Sequence, residues 1–258
     1  MTHGRPVAVV TGAGRGLGRA IAEALATSHD LVLGWHSDER AATHSAALAQ
    51  SLGAVCELVH GDVSDAATAA ELVAAALARG DRLDLWVNNA GVSFLSPLLA
   101  TSLSSLRSMF DVNVVGTFNG IVAAGAAMTE RGGGRIVNIA SDLGLQAAPL
   151  LGAYSATKFA VVGLTQAAAV ELAPAGICVN ALCPGTVETE MVLAEERAEA
   201  SLVGTTAEDV RERLVAAVPA GRLCTPADVG ALVAFLASPG AEHVTGQAIC
   251  VNGGSIRH

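Results

Sequence analysis

The chain has 258 residues, of which 52% are hydrophobic and 15% charged, and its formal net charge is −9. The high apolar content excludes a disordered chain, and the negative balance argues against a surface for nucleic acid or for an anionic membrane. The length suits one α/β domain, and since no repeat or linker divides the chain we expect a single domain over residues 1–258.

Cysteine and histidine usage indicates the compartment and argues against a metal centre. The cysteines are scattered, never spaced C-x-x-C, and mostly lie in apolar runs: Cys56, Cys178, Cys183, Cys224 and Cys250. This pattern predicts buried reduced thiols and a cytoplasmic protein. The seven histidines show no metal-ligand spacing, and neither a leader peptide nor a membrane span is indicated.

Short apolar runs rich in β-branched residues alternate with longer helical segments. The strands are predicted at Pro6–Val10, Leu31–Leu33, Ala54–Val59, Leu83–Val87, Arg135–Ala140, Cys178–Leu182 and Gln247–Val251. Helices are predicted at Arg19–Thr27, Glu39–Ser51, Asp65–Arg79, Leu103–Met128, Tyr154–Ala173 and Pro226–Ala237. Seven strands that alternate with helices predict one doubly wound parallel sheet with helices on both faces, a Rossmann fold.

A glycine-rich turn connects the first strand to the first helix. It reads T-G-x-x-x-G-x-G with one extra glycine, and its residues are Gly12, Gly14, Arg15, Gly16, Leu17 and Gly18. In a strand–turn–helix setting, backbone N–H groups and the helix N-terminus hold a diphosphate. We therefore expect these residues to bind a dinucleotide.

The end of the second strand bears on which dinucleotide is bound. An acid at this place chelates the 2′-hydroxyl of NAD, but here no carboxylate precedes Asp38. Arg15, His36 and Ser37 together could receive a 2′-phosphate, which an acid would repel. The sequence therefore favours NADP(H) over NAD.

Tyr154 and Lys158, the only tyrosine and the only lysine, are four positions apart in a helical segment. Residues so spaced share a helix face. A charge about 4 Å away at an effective dielectric of about 20 supplies roughly 4 kcal/mol, enough to bring a phenol pKa of about 10 near 7. The pair could be a general acid/base, or a half-buried tyrosine beside an unrelated solvated lysine.

Polar residues at the ends of other predicted strands favour the catalytic interpretation. Asn89, Ser141 and the segment Pro184–Thr186 follow three strands, where open α/β sheets bind ligands. Asn113 is an amide inside an apolar stretch and needs buried partners. Residues 187–222 are more charged and less periodic, which predicts a lid over the substrate.

The whole chain resembles the short-chain dehydrogenase/reductase family in its compact form. The matching motifs are Thr11-Gly12 through Gly18, Asp62-Val63, Asn88-Asn89-Ala90-Gly91, Asn113, Ser141, Tyr154-x-x-x-Lys158, Pro184-Gly185 with Thr189, and Val251-Asn252-Gly253-Gly254. Ser141 lies 13 positions before Tyr154, which is the usual spacing in this family.

The resemblance implies a catalytic role for four residues. Tyr154 donates a proton to the substrate carbonyl or takes it from the alcohol, and Lys158 lowers the pKa of Tyr154 and holds the nicotinamide ribose. Ser141 orients the substrate oxygen, and Asn113 holds a water that links Lys158 to solvent.

The resemblance also implies further contacts to the cofactor. Asp62 and Val63 would contact adenine, and Asn89 the adenosine side, with Gly91 beside it. Val187 would bond the carboxamide through its backbone and Thr189 through its hydroxyl. No metal is implied, and since the family is mostly tetrameric we expect a homotetramer.

The expected reaction is the NADP(H)-dependent interconversion of a ketone and a secondary alcohol. Asp142, the loop Leu145–Leu151 and residues Met191–Leu193 would line the substrate pocket beside Ser141 and Tyr154, and since they are mainly apolar we expect a moderately hydrophobic small molecule. The chain is most similar to the 3-oxoacyl-carrier-protein reductase branch, but Gly132 and Ala175 stand where carrier-binding members place basic residues.

Three alternatives remain open from the sequence, and the first is a 3-oxoacyl-[acyl-carrier-protein] reductase. The chain is also similar to the diacetyl and polyol dehydrogenase branch, whose members usually carry the acid of NAD-specific enzymes. A regulator that binds NADP(H) without turnover would not need the acid/base residues.

Overall fold

The computed structural model describes residues 4–257. Its centre is one sheet of seven parallel strands in the order β3-β2-β1-β4-β5-β6-β7. The strands are β1 Val7–Val10, β2 Asp30–Trp35, β3 Cys56–His60, β4 Leu85–Asn88, β5 Gly134–Ile139, β6 Ile177–Pro184 and β7 Ala248–Val251. The predicted doubly wound fold is confirmed, and each observed strand overlaps a predicted one.

Nine α-helices surround the sheet within the described residues. They are α1 Gly16–Leu25, α2 Glu39–Ser51, α3 Ala66–Leu77, α4 Leu103–Phe110, α5 Gly116–Glu130, α6 Gly152–Leu172, α7 Glu190–Val203, α8 Ala207–Ala216 and α9 Pro226–Ala237. Helix α1 begins earlier than predicted, at Gly16, so the last glycines of the turn are its first residues.

The inner strands of the sheet, such as β1, β4 and β6, are buried on both faces, which explains why they read as continuous apolar runs. On one face, residues of α1, α2 and α9 such as Ile21, Ala46 and Val233 form a core cluster. On the other, residues of α3, α5 and α6 such as Leu72 and Met128 form a second cluster. The ligand-binding edge is thus the row of strand carboxyl ends between the helix layers.

A buried amide network fixes α6 against the sheet. The Trp86 indole donates to Asn88 Oδ1 at 2.7 Å, and Asn88 Nδ2 donates to Asn138 Oδ1 at 2.8 Å. Asn138 Nδ2 in turn donates to the Thr165 hydroxyl on α6 at 2.8 Å. Since each of these polar groups has a partner, the network can hold α6 in one place without leaving an unsatisfied group at its links.

One turn of π-helix, Asp111–Val115, joins α4 to α5 and contains Asn113. Such turns are rare and occur mostly inside α-helices at functional sites. The combined helix Leu103–Glu130 is the one helix among residues 4–257 long and apolar enough to cross a membrane, and half of its most apolar window is buried in this protein.

The segment 187–222 is more regular than its sequence indicates. It contains α7 and α8, where the low periodicity predicted no helix. Thr206 begins α8 with a capping box, since its hydroxyl accepts from Asp209 N and Asp209 accepts from Thr206 N. Helical structure here rests on such caps and on packing, because neither helix has a strongly apolar face.

All five cysteines are free, with Cys178, Cys183 and Cys224 buried. Burial raises the pKa of the Cys183 thiol to about 12, so this sulfur is a weak nucleophile. Within residues 4–257, no group of three or more His, Cys, Asp or Glu side chains is placed to hold a metal ion.

Candidate active site

The glycine turn forms a close-packed cradle at the carboxyl end of β1. Gly12 has φ +63° and Gly16 has φ +53°, conformations that favour glycine. A Cβ on Gly18 would overlap the carbonyl oxygen of Gly12 and would lie 2.6 Å from Asn89 Nδ2. The absence of side chains on these residues brings the start of α1 close to the turn, which fits a bound diphosphate.

Two other residues of the predicted glycine turn pack against the protein itself. The side chain of Leu17 packs against the core cluster of α1, α2 and α9, so only its backbone can face a ligand. Gly14 lies against α2, where an added Cβ would be 3.3 Å from Ala42 N.

Asn89 stabilises this turn from the neighbouring strand β4. Its Nδ2 donates to the carbonyl oxygens of Thr11 at 2.9 Å and of Gly12 at 3.1 Å. Its own N–H donates to the Thr11 hydroxyl at 3.0 Å. The side chain predicted to meet the adenosine is therefore engaged with the backbone that shapes the cradle.

The corner beyond β2 is exposed and carries the predicted basic group. Arg15 is exposed, and its guanidinium lies 3.7 Å from Glu190 at the start of α7. His36 is exposed, and its ring stacks on His60 with centroids 6.1 Å apart. The nearest following carboxylate, that of Asp38, accepts from Ala41 N at 2.9 Å as the N-cap of α2.

Trp35 and Ser37 complete this corner. The Trp35 ring packs on His60 with centroids 4.5 Å apart, so it covers the edge of the sheet between β2 and β3. Ser37 is exposed beside His36. Its hydroxyl therefore faces the same solvent-accessible corner.

The predicted adenine contacts lie one strand further out. Asp62 is exposed, and hydrogen bonds from the backbone and hydroxyl of Ser64 lower the pKa of its carboxyl. Val63 packs against Gly116 of α5, where an added Cβ would lie 2.6 Å from Val63 Cγ2. A groove of about 420 Å³ runs from Asp62 to Arg107 on α4 and reaches Val112, the residue before Asn113.

Asn113 is 1% exposed and has partners for both atoms of its amide. Its Oδ1 accepts from Val92 N at 2.8 Å, and its Nδ2 donates to Val92 O at 2.9 Å and to the Thr157 hydroxyl at 3.0 Å. The buried amide thus joins the chain beyond β4 to α6, one residue before Lys158. The carbonyl group of Asn113 accepts from Thr117 at 2.8 Å.

Lys158 is 4% exposed and turns inward from α6. Its Nζ donates to the carbonyl oxygen of Ile139 at 2.8 Å and lies 5.5 Å from the centroid of the Tyr154 ring. Gly91 is also adjacent, since an added Cβ there would be 3.8 Å from Nζ. The predicted proximity of the tyrosine and the lysine on one helix face is present.

The charge effect predicted for this pair is not observed. Burial raises the pKa of Tyr154, the Glu195 carboxylate raises it further, a hydrogen bond with Ser141 opposes the rise, and Asp142 adds to it. Burial also lowers the pKa of Lys158 to about 8. The expectation that Lys158 brings the tyrosine pKa near 7 is wrong for this structure, because desolvation of the buried phenolate raises that pKa.

Ser141 lies at the end of β5 and faces Tyr154. Its hydroxyl accepts from Leu143 N at 3.1 Å, as the N-cap of a short 3₁₀ helix, Asp142–Gly144. Asp142 is only 8% exposed, and its Oδ2 lies 3.3 Å from the Ser255 hydroxyl. The side chain predicted to line the substrate pocket is instead engaged with the C-terminal residues.

Val187 and Thr189 follow β6 and lead into α7. Val187 forms a parallel bridge with Cys224, in which Cys224 N donates to Thr186 O and Glu188 N donates to Cys224 O. In this parallel pattern Cys224 bonds to Thr186 and Glu188, the neighbours of Val187. The N–H and C=O groups of Val187 itself therefore point away from Cys224. The Thr189 hydroxyl accepts from Val192 N at 3.4 Å as the cap of α7.

Glu195 lies near Tyr154 and is not among the residues predicted from the sequence. It lies on α7, is half-buried, and is close enough to Tyr154 to raise the pKa of its hydroxyl. Burial raises the pKa of Glu195 itself, and the neighbouring Ser93 hydroxyl opposes that rise. No short motif carries this residue, because its position depends on how α7 crosses the site.

These features define a dinucleotide-binding protein with an acid/base cluster at the carboxyl edge of its sheet. Residues 12–255 match the family model described as enoyl-(acyl carrier protein) reductase. The chain is 40% identical over 256 residues to L-2,3-butanediol dehydrogenase of Corynebacterium glutamicum, which covers 97% of this chain and 98% of that protein. It is 37% identical over 254 residues to a diacetyl reductase [(S)-acetoin forming] of Staphylococcus epidermidis, with coverage of 96% and 98%.

The fold agrees with these sequence relatives. A solved structure of a variant of actinorhodin polyketide ketoreductase with NADPH superposes with a TM-score of 0.94 at 35% identity and covers 98% of both chains. The chain belongs to the short-chain dehydrogenase/reductase family, as its motifs predicted. It is therefore an oxidoreductase of CH–OH and C=O groups that uses a nicotinamide cofactor.

Proposed function

We propose that this protein is an NADP(H)-dependent ketoreductase in which Tyr154 transfers the proton. The observation that carries the proposal is the Tyr154 side chain, which lies near Ser141 and has the buried Lys158 ammonium 5.5 Å from its ring centroid on the same helix face. When bound, the nicotinamide ring supplies or accepts the hydride. The cradle Gly12–Gly18, the peptide groups of Val187 and the side chains of Thr189 and Lys158 would hold the cofactor.

The protein's own residues act on the substrate oxygen. The hydroxyl groups of Ser141 and Tyr154 lie near each other and would together hold the carbonyl oxygen and polarise it. Since its pKa is raised, Tyr154 is protonated at neutral pH and ready to donate to a ketone. The buried Asn113 fixes the start of α6 and thus the placement of Lys158.

The proposed substrate is a small ketone or diketone of moderate hydrophobicity. The relatives named for 2,3-butanediol and diacetyl support a vicinal diketone or hydroxyketone as the first compounds to assay. The relative with a polyketide name keeps a larger cyclic ketone in the panel. Segment 187–222, with α7 and α8, is the proposed lid over this substrate.

Replacing the phenol tests the mechanism. In Tyr154→Phe we expect kcat for ketone reduction to fall by about 10²–10⁴-fold, because the proton donor is lost, while NADPH binds with unchanged affinity. Steady-state kinetics and a fluorescence titration measure the two quantities. Turnover that survives the substitution would refute the tyrosine mechanism, and a wild type that binds NADPH without reducing any ketone would indicate a regulator.

The choice of NADP(H) is supported by Arg15, His36 and Ser37 at the exposed corner and by Asp38, whose carboxylate caps its own helix. Titrations should give tighter binding of NADPH than of NADH. Arg15→Ala should weaken NADPH binding and leave NADH binding nearly unchanged, whereas Arg213→Ala on α8 should affect neither. Tighter binding of NADH by the wild type would overturn this assignment.

We further propose a cytoplasmic homotetramer. Five free cysteines are typical of a reducing compartment. Helices α5 and α6 both expose large apolar side chains to solvent, among them Phe118, Val122, Phe159 and Val170. A second copy of the chain is the proposed occupant of this face.

A further inference from the structure

Asp142 is a buried carboxylate next to the proposed catalytic serine. It is 8% exposed, and its Oδ2 lies 3.3 Å from the Ser255 hydroxyl and 3.3 Å from the position of a Cβ built on Gly185. Burial raises the pKa of the Asp142 carboxyl, and the hydroxyls of Ser255 and Ser141, the N–H of Leu143 and the amide of Asn252 oppose that rise. A carboxylate so enclosed depends on these donors, since burial without them would be costly.

Two of these groups, Asn252 and Ser255, belong to a C-terminal turn, residues 252–255. Gly254 N donates to Asn252 Oδ1 at 3.1 Å, and Asn252 Nδ2 donates to Ile256 O at 3.1 Å. Gly253 has φ +61° and Gly254 has φ +88°, so the turn requires glycine at both places. The turn has its own hydrogen bonds and can serve as a fixed support.

The same turn touches the segment after α8. Ala220 N donates to Gly253 O at 3.0 Å, and a Cβ on Gly254 would lie 3.4 Å from Pro219. The C-terminal turn is therefore packed between the end of the proposed lid and the loop that carries Ser141.

The other carboxylate oxygen of Asp142 lies near the proposed catalytic residues. Its Oδ1 lies 3.4 Å from the Ser141 hydroxyl, which faces Tyr154. Ser141 and Asp142 are consecutive at the start of the 3₁₀ helix Asp142–Gly144. The Asp142 carboxylate therefore contacts the Ser141 hydroxyl directly, and its position bears on the orientation of that hydroxyl.

We propose that Asp142 is a positioning residue that ties the C-terminal turn to Ser141, so that Ser255 supports turnover without touching the substrate. The inference rests on the ketoreductase function proposed above. Ser255 and Asp142 are 113 positions apart in the chain, and the carboxylate is the link between them.

Kinetics of paired variants test the link. In Ser255→Ala and in Asp142→Asn we expect kcat to fall by about 10-fold for every ketone that the wild type reduces, because a misplaced hydroxyl loses orientation. KM and NADPH affinity should stay nearly unchanged. The double variant should be no slower than the slower single variant, and Ser255→Thr, which keeps the hydroxyl, should retain the wild-type rate.

A readout that does not depend on activity separates this inference from the proposed function. Hydrogen exchange measured by mass spectrometry should be faster at residues 141–146 in Ser255→Ala than in the wild type and in Ser255→Thr. Faster exchange in a protein without ketone turnover would support the link and refute only the proposed function. Tyr154-dependent turnover that Ser255→Ala leaves unchanged would refute the link alone.

One further outcome would overturn the positioning role. If Asp142→Asn raised KM for one class of ketone and Ser255→Ala left both KM and kcat unchanged, Asp142 would be a substrate contact.

Discussion

Burial and two nearby carboxylates determine when Tyr154 can lose its proton. After burial, the Glu195 charge is the largest contribution that raises the pKa of Tyr154, and Asp142 adds a smaller one. Alcohol oxidation needs the phenolate as base, so its rate should rise with pH toward the raised pKa. Ketone reduction needs the protonated form, which the same charges preserve.

Glu195→Gln should therefore move the pH profile of oxidation to lower pH. The carboxylate is ionised in the alkaline range where Tyr154 titrates, so its removal lowers the pKa of Tyr154 and the phenolate forms earlier. The profile of kcat/KM for a secondary alcohol measures the shift. Glu208→Gln on α8 is the matched control and should leave the profile in place, and a shift of Glu195→Gln to higher pH would contradict the argument.

Single residues show where sequence reasoning stops. The spacing of Tyr154 and Lys158 correctly predicted that they lie together, because helix geometry is local. The sign of the pKa shift was wrong, because it depends on desolvation and on Glu195, neither of which the local sequence reveals. The orientation of the Asp142 side chain depends on Ser255, a residue near the C-terminus that the local sequence does not reveal.

At the scale of elements, the turn between β1 and α1 depends on close approach. Gly18 is buried at the start of α1, against Gly12 and Asn89. Gly18→Ala should destabilise the protein by about 1–3 kcal/mol, because its methyl group would overlap the Gly12 carbonyl and force the turn apart. The distorted cradle should also bind NADPH more weakly.

Urea unfolding and NADPH titration measure the two effects. Gly240→Ala is the control, since a Cβ there meets only ordinary contacts at 3.5 Å and 3.8 Å. A Gly18→Ala variant as stable as Gly240→Ala and with full NADPH affinity would show that the cradle tolerates a side chain.

Helices and strands were predicted well where the periodicity of the sequence determines them. They were predicted poorly where tertiary packing determines them. Buried parallel strands read as apolar runs, and helices α2 and α9 end where they were predicted. Helices α7 and α8 were missed, although the caps Thr189 and Thr206 were a readable signal. The π-turn at Asn113 has no sequence signature, since it arises from the fit of α4 and α5 to the site.

At the scale of the molecule, the sheet order brings distant segments to one edge. Strands β1 and β4 are neighbours although β2 and β3 lie between them in sequence, so the crevice opens where the strand order reverses. The glycine turn, Asn89 and Ser141 meet there, and the C-terminal turn closes the far side through Asp142. The alternation of strands and helices was enough to predict this convergence. It did not predict how deeply each side chain is buried.

The apolar face of α5 and α6 concerns the assembly of the molecule. Phe159 is 47% exposed and lies on the helix that carries Tyr154 and Lys158. Exposed apolar area that continues over two helices is typical of an interface between copies of a chain. We expect the wild type to have four times the mass of one 25.8 kDa chain in solution.

Phe159→Glu should break the tetramer into smaller species, because a charge placed in an apolar interface loses its hydration without a partner. It should also lower kcat, since the partner subunit would no longer support α6. Leu52→Glu is the matched control: Leu52 is 46% exposed at the end of α2, away from this face, and its substitution should leave a tetramer. Sedimentation equilibrium measures the mass of each variant. A monomeric wild type would contradict an interface on this face, and so would a Phe159→Glu variant that remains a tetramer.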